Sequence, residues 1–200
     1  MIGIINYGAG NIFSVINSIK KTGKKSKVIS KPENINITHI ILPGVGAFDD
    51  GIKKMKETGM DEFLKEQVKK GKYILGICLG LQMFFEKSQE GLLNGLCFFK
   101  GENLKFSDTL KLPIPHMGWN TVFIKKRADI LKDIPEKSFF YFAHSYYPVS
   151  VEKNIISGIT EYGFEFASVV EKDNIIGVQF HPEKSSDSGQ KIIENFVNLK

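Results

Sequence analysis

Two short segments of this 200-residue sequence carry side chains suited to nucleophilic chemistry. In the first, the apolar run Tyr73-Ile74-Leu75 leads into Gly76-Ile77-Cys78-Leu79-Gly80 and then, without a linker, into Leu81-Gln82-Met83-Phe84-Phe85. A strand turning sharply into a helix at Gly-x-Cys-x-Gly exposes one side chain, and glycines two residues to either side give the clearance such a turn needs. At the start of a helix, unpaired amides and the helix dipole favour an anionic, nucleophilic sulfur. In the second segment, Gln179-Phe180-His181-Pro182-Glu183, a strand delivers His181, Pro182 ends it, and Glu183 follows two residues on. In an extended chain those positions share a side, so the carboxylate can orient the imidazole by a hydrogen bond. Cys78, His181 and Glu183 thereby form a candidate nucleophile, base and orienting acid.

A lone cysteine is also often a buried packing residue; the two glycines tip the reading toward chemistry. His144 is the rival base, since it ends the apolar run Phe140–Ala143 much as His181 ends its own strand; Glu183 favours His181. His116 lacks a carboxylate neighbour in sequence, as does His39, which reads as a surface or cap residue. With two cysteines and no histidine pair at ligand spacing, no metal site is expected.

The elements that must position these groups alternate at first. A strand over Ile2–Tyr7, a helix over Ile12–Lys21, short strands at Lys27–Ser30 and His39–Leu42, and a helix over Ile52–Lys70 closed by Gly71 precede the Cys78 turn. Such alternation argues for a parallel sheet covered on both faces, with ligands beyond the carboxyl ends of its strands. Pro43-Gly44-Val45-Gly46-Ala47-Phe48 lies at one such end. Its amides could wrap an anionic or carbonyl-like group, or it is an ordinary strand-end turn; both readings stand. Gly8 and Gly10 follow the first strand, but the third glycine of a dinucleotide fingerprint is missing.

After Lys87 the pattern becomes short β segments at Leu96–Phe99, Leu104–Phe106, Thr121–Ile124, Phe139–Phe142, Tyr147–Val151, Phe166–Val170 and Ile175–Gln179, an antiparallel section joined to the parallel sheet. Pro115–Asn120 reads as a loop carrying the sole tryptophan, Trp119, as core filler or as an interface anchor. Ser188–Leu199 reads as a closing helix.

Composition narrows the function classes. Hydrophobic content of 42% and charged content of 24% suit one soluble domain spanning residues 1–200. The net charge of +5 comes from lysines spread along the chain, with Arg127 the only arginine. Neither nucleic-acid nor membrane-surface binding is expected from so dispersed a surplus. The first residues lack a signal-type pattern and no apolar run approaches bilayer length, so the expected location is cytoplasmic.

Taken together, Gly76–Gln82, Pro43–Phe48, His116–Asn120, His144–Tyr147 and Gln179–Ser185 resemble the class I glutamine amidotransferases. Within that class the likeness is to glutaminase subunits of imidazole glycerol phosphate synthase, and it runs from Ile2 to the last helix. The resemblance implies a flavodoxin-like α/β fold, a central, mostly parallel sheet flanked by helices with an additional antiparallel β section, and no cofactor. It implies that Cys78 attacks the side-chain amide of L-glutamine, giving a thioester and ammonia, and that water then releases glutamate. The oxyanion would be held by backbone amides of Leu79 and of Val45 and Gly46. Gly44, Gln82, Ala143, Ser145 and Tyr146 match positions that hold the substrate. The implied partner is a (β/α)8-barrel cyclase subunit, joined as a heterodimer in histidine biosynthesis, which takes the ammonia; Trp119 matches a loop at that interface. Asn6, Tyr73, Leu81 and the segment Leu96–Gly101 depart from the usual pattern and leave open a paralogue that feeds another synthase, such as one acting on a surface sugar. A cysteine peptidase or amidase on the same scaffold, or a non-catalytic subunit, are the further alternatives.

Overall fold

The computed structural model describes residues 1–200. In chain order the elements are β1 (Ile2–Ile5), α1 (Ile12–Lys21), β2 (Ser26–Ile29), β3 (His39–Gly44), α2 (Phe48–Thr58), α3 (Met60–Lys69), β4 (Tyr73–Cys78), α4 (Leu79–Gln82), β5 (Lys87–Ser88), β6 (Gly101–Lys105), β7 (His116–Ile124), β8 (Ser138–His144), β9 (Tyr146–Ser150), β10 (Ile156–Glu161), β11 (Glu165–Lys172), β12 (Ile175–Val178) and α5 (Ser186–Val197). Nine strands form one sheet in the order β2-β1-β3-β4-β12-β11-β10-β7-β8, and β5-β6-β9 form a smaller one. From β2 to β12 every pairing is parallel; from β12 to β8 every pairing is antiparallel.

The continuous apolar strands explain the parallel half, because each is buried on both faces. Ile4, Ile41, Leu75, Ile77 and Ile176 pack in one apolar cluster with Val15 and Ile19 of α1 and Ile192, Ile193 and Phe196 of α5. Ile5, Ile40, Leu42 and Ile74 point the other way, into a cluster with Ile52 and Met55 of α2 and Phe63 and Leu64 of α3. No helix is long and apolar enough to cross a membrane.

Several elements differ from the sequence expectation, each for a local reason. The helix expected over Ile52–Lys70 is two helices, broken at Gly59, which takes φ 70° and closes α2 with its N–H on the Lys56 and Met55 carbonyls. Strand β3 runs two residues into the expected loop, with Pro43 paired to Ile77 and Gly44 to Cys78. Proline is accommodated there because pairing with β1 stops at Ile41. His116–Asn120, expected as a loop, is the first half of β7, paired residue for residue with β8. Leu96–Phe99 is not a strand; the Phe98 and Phe99 N–H groups both donate to the Phe84 carbonyl (2.8 and 3.0 Å). His39 is buried, 6% exposed, and stacked on Tyr73.

Candidate active site

The β4–α4 junction is a tight, closely packed corner. Cys78 takes φ 54° and ψ −108°, a conformation that non-glycine residues adopt at a cost of about 1–3 kcal/mol. What holds it there is close packing around the two flanking glycines. A Cβ on Gly80 would collide with the Leu42 carbonyl oxygen of β3, and one on Gly76 would lie 2.6 Å from Phe84 and 2.7 Å from the Leu81 nitrogen. The helix that follows is a single turn, and the N–H of Leu79, its first residue, has no backbone acceptor inside it.

Opposite Cys78, β12 runs parallel to β4 and delivers His181 just past its end. The His181 N–H donates to the Tyr141 carbonyl of β8 (2.8 Å). Ser185 completes a clamp: its hydroxyl donates to the His181 carbonyl (2.6 Å) and accepts from the Tyr141 N–H (2.9 Å). His181 Nδ1 lies 2.9 Å from Glu183 Oε1, and the two side chains are each 3% exposed. Burial alone pushes this imidazole down; the hydrogen bond and charge of Cys78, then those of Glu183, override it and raise it to about 10. The arrangement favours an imidazolium facing sulfur, with a carboxylate behind it.

A cleft of about 310 Å³ opens over these groups. It is lined by Cys78 and His181, by Val45, Gly46 and Leu79 on one side, and by Ala143, Ser145 and Tyr146 on the other, with Gln82 between. Gly44 is not part of the lining; it is packed beneath, where a Cβ would meet the Gly80 nitrogen at 2.7 Å and the Tyr7 hydroxyl at 2.8 Å. Trp119 also lies outside the cleft, half exposed on β7 and edge-on to Tyr141.

Three contributors were not anticipated from sequence. Glu90 is the only carboxylate among the lining residues. Its Oε2 accepts the Phe48 N–H (2.8 Å) at the start of α2, and burial raises its carboxyl above the usual range. Gln179, fully buried, donates from Nε2 to Cys78 Sγ (3.7 Å). Its orientation is set by Gln82, whose Nε2 donates to Gln179 Oε1 (3.3 Å) and to the Tyr146 carbonyl (2.8 Å). Lys184 lines the rim with its ammonium 5.8 Å from the Tyr141 ring centre. In sequence these are a Glu in a polar turn, a Gln ahead of the His-Pro-Glu step and one lysine among many; only the spatial neighbours distinguish them.

The rival His144 also lines the cleft but has a different setting. It is buried against His116, with no carboxylate partner, and burial lowers it to about 3. No cluster of histidine, cysteine and acidic side chains has metal-site geometry.

Residues 3–199 match the family described as glutamine amidotransferase class-I. A protein of Caldanaerobacter subterraneus subsp. tengcongensis, described as imidazole glycerol phosphate synthase subunit HisH, is 48% identical over all of this chain and 98% of its own length. One from Methanococcus maripaludis, described as subunit HisH 2 of the same synthase, is 46% identical over 98% of both chains. Among solved structures, PurLQS from Thermotoga maritima superposes with a TM-score of 0.77 at 18% identity, covering 98% of this chain and 97% of that one, a likeness of fold. The chain belongs to the class I glutamine amidotransferase family.

Proposed function

We propose that this chain is the glutaminase subunit of an imidazole glycerol phosphate synthase, that residues 1–200 act as one amidotransferase domain, and that Cys78, His181 and Glu183 carry the reaction. The relatives' names support the synthase, and with it a cyclase partner that receives the ammonia. The single observation that carries the chemistry is His181 held between Cys78 and Glu183 at the floor of a cleft.

L-Glutamine enters with its side-chain amide over Cys78. Its α-ammonium is taken by Glu90 and its carboxylate end by the Ser145–Tyr146 segment, while Gln82 braces that segment through the Tyr146 carbonyl. Sulfur attacks the amide carbon, and the oxygen gathers charge against the amides of Leu79 and the Val45–Gly46 segment, each such donor being worth roughly 3 kcal/mol of barrier. His181 gives its proton to the departing nitrogen, so ammonia leaves and a γ-glutamyl thioester remains. His181, now neutral, takes a proton from water as the water attacks the thioester, and glutamate is released with the sulfur restored. Glu183 keeps Nδ1 protonated so that Nε2 does this work. Trp119, exposed on β7, is a contact for the cyclase subunit.

The test is glutamate release by the chain mixed with its cyclase, beside Cys78→Ala. Release from the unmutated chain alone supports the reading; equal release from both sinks it.

A further inference from the structure

Two histidines beside the cleft take no part in that chemistry. His116 on β7 and His144 at the end of β8 are paired across the strands, 3% and 5% exposed, with His116 Nδ1 2.9 Å from His144 Nε2. The His116 ring is sandwiched between Tyr162 (centres 4.0 Å apart, 27° between planes) and Phe142 (4.7 Å, 25°), so it cannot tumble.

Their partners fix every proton. His144 Nδ1 lies 2.8 Å from the Tyr146 carbonyl, which only accepts, so that nitrogen carries hydrogen. In a neutral ring Nε2 is then the acceptor, and His116 Nδ1 must donate to it. His116 Nε2 is left as an acceptor, and Asn120 Nδ2 stands 3.2 Å away to supply it. The amide of Asn120 has no freedom to turn over: Oδ1 accepts the Thr121 N–H (2.7 Å) and Nδ2 also donates to the Glu161 carbonyl (2.9 Å). Donation therefore runs one way, from Asn120 through His116 and His144 to Tyr146, whose carbonyl Gln82 also holds.

We propose that Asn120 and His116 are positioning residues for glutamine: the ordered relay from β7 holds the Tyr146 carbonyl, and through it the Ser145–Tyr146 wall of the cleft. Either ring gaining a second proton would set two N–H groups against each other, so the relay works only with both rings neutral. The surroundings agree. Tyr162 and the rings of Phe106, Phe142 and Phe166 pack on the pair, with Tyr147 behind Phe106 and Phe166; burial holds both rings below the ordinary 6.5, and His181 pushes His144 further the same way.

This inference rests on the glutaminase reading, and its test separates the two. Nitrogen-15 spectra of the four imidazoles in the intact chain should show His116 and His144 both as Nδ1–H tautomers, with no titration between about pH 5.5 and 8.5. An Nε2–H pattern or a midpoint near 6.5 on either ring overturns the relay. His116→Phe keeps the sandwiched packing and removes the donor, so the nitrogen-15 signal of His144 Nε2 should move to that of an acceptor without a hydrogen bond while Nδ1, still facing the Tyr146 carbonyl, keeps its proton. With cyclase present, its KM for glutamine should rise about tenfold while kcat stays within about twofold, the signature of lost ground-state positioning. Asn120→Leu should raise KM about threefold, and it carries the kinetic test if His116→Phe does not fold. Unmoved KM in a folded variant refutes the relay. If the unmutated complex releases no glutamate, the functional reading fails, and with it the glutamine-positioning role, while the tautomer spectra still decide whether the ordered chain exists.

Discussion

His144 ends a strand and His181 follows one, both are almost free of solvent and line the same cleft, yet one is held neutral and the other charged. Burial pushes both downward. His144 meets only a carbonyl, whose hydrogen bond lifts it less than burial lowers it, and another imidazole. His181 meets the sulfur of Cys78 and the carboxylate of Glu183, which reverse the downward push. Neighbours, not depth, therefore divide the two rings into the proposed proton carrier and the proposed strut.

The largest effect expected comes from removing the carrier. His181→Ala should lower glutamate release by the complex about 10⁴-fold or more, and Cys78→Ala by a similar factor. The double variant should be little worse than either single one, because the groups act as a unit. A His181→Ala enzyme within tenfold of the unmutated rate would erase the distinction between the two histidines. Glu183→Gln keeps the shape and removes the charge. Its expected cost is about 10³-fold in kcat, and the His181 midpoint, read from its ring protons, should move down from about 10 while the larger lift from Cys78 stays. An unmoved midpoint would assign the lift to Cys78 alone.

The contrast can also be attacked from the backbone. Gly80→Ala forces a Cβ onto the Leu42 carbonyl oxygen, so β3 or the Cys78 turn must yield. The expected loss is about 3 kcal/mol of stability by urea denaturation, with His181 falling toward its ordinary range as the sulfur is displaced. A folded Gly80→Ala protein of unchanged stability would mean that the corner is looser than its packing shows.

The half of the fold that delivers Cys78 was legible in sequence because its strands are continuous apolar runs, and the glycines at 76 and 80 marked the turn. The half that delivers His144 was far less so. His116-Met117-Gly118-Trp119-Asn120 has no strand pattern of its own: Met117 and Trp119 are exposed, Gly118 sits at φ 128°, and the segment is extended because β8 pairs with it. Ile156–Glu161 went unread for the same reason, since β10 lies between β7 and β11 and takes its register from them. Of the site, Cys78, His181 and Glu183 were named from local spacing. Glu90 and Gln179 became visible only where chain segments far apart in sequence meet, Phe48 with Glu90 and Cys78 with Gln179. Local chemistry can be read from a motif; a hydrogen bond between residues a hundred positions apart cannot.

The smallest expected effect is on stability against pH, where the two kinds of histidine act with opposite sign. Above 6.5, His116 and His144 are neutral both folded and unfolded and cost nothing. As pH falls below 6.5 the unfolded chain takes up two protons that the folded chain refuses until about 4 for His116 and about 3 for His144, so stability is lost toward acid. His181 behaves in reverse. Its contribution is complete below 6.5 and is lost as pH rises through about 10, because only the folded chain keeps that proton. Each histidine adds a slope of at most about 1.4 kcal/mol per pH unit inside its window. Urea titrations at a series of pH values should therefore find that His116→Phe flattens the acid limb between pH 6.5 and 4 and leaves the alkaline limb alone, whereas Cys78→Ala, by removing the largest lifting influence on His181, flattens the alkaline limb only. If both substitutions act on the same limb, the division of the two rings into strut and carrier is wrong.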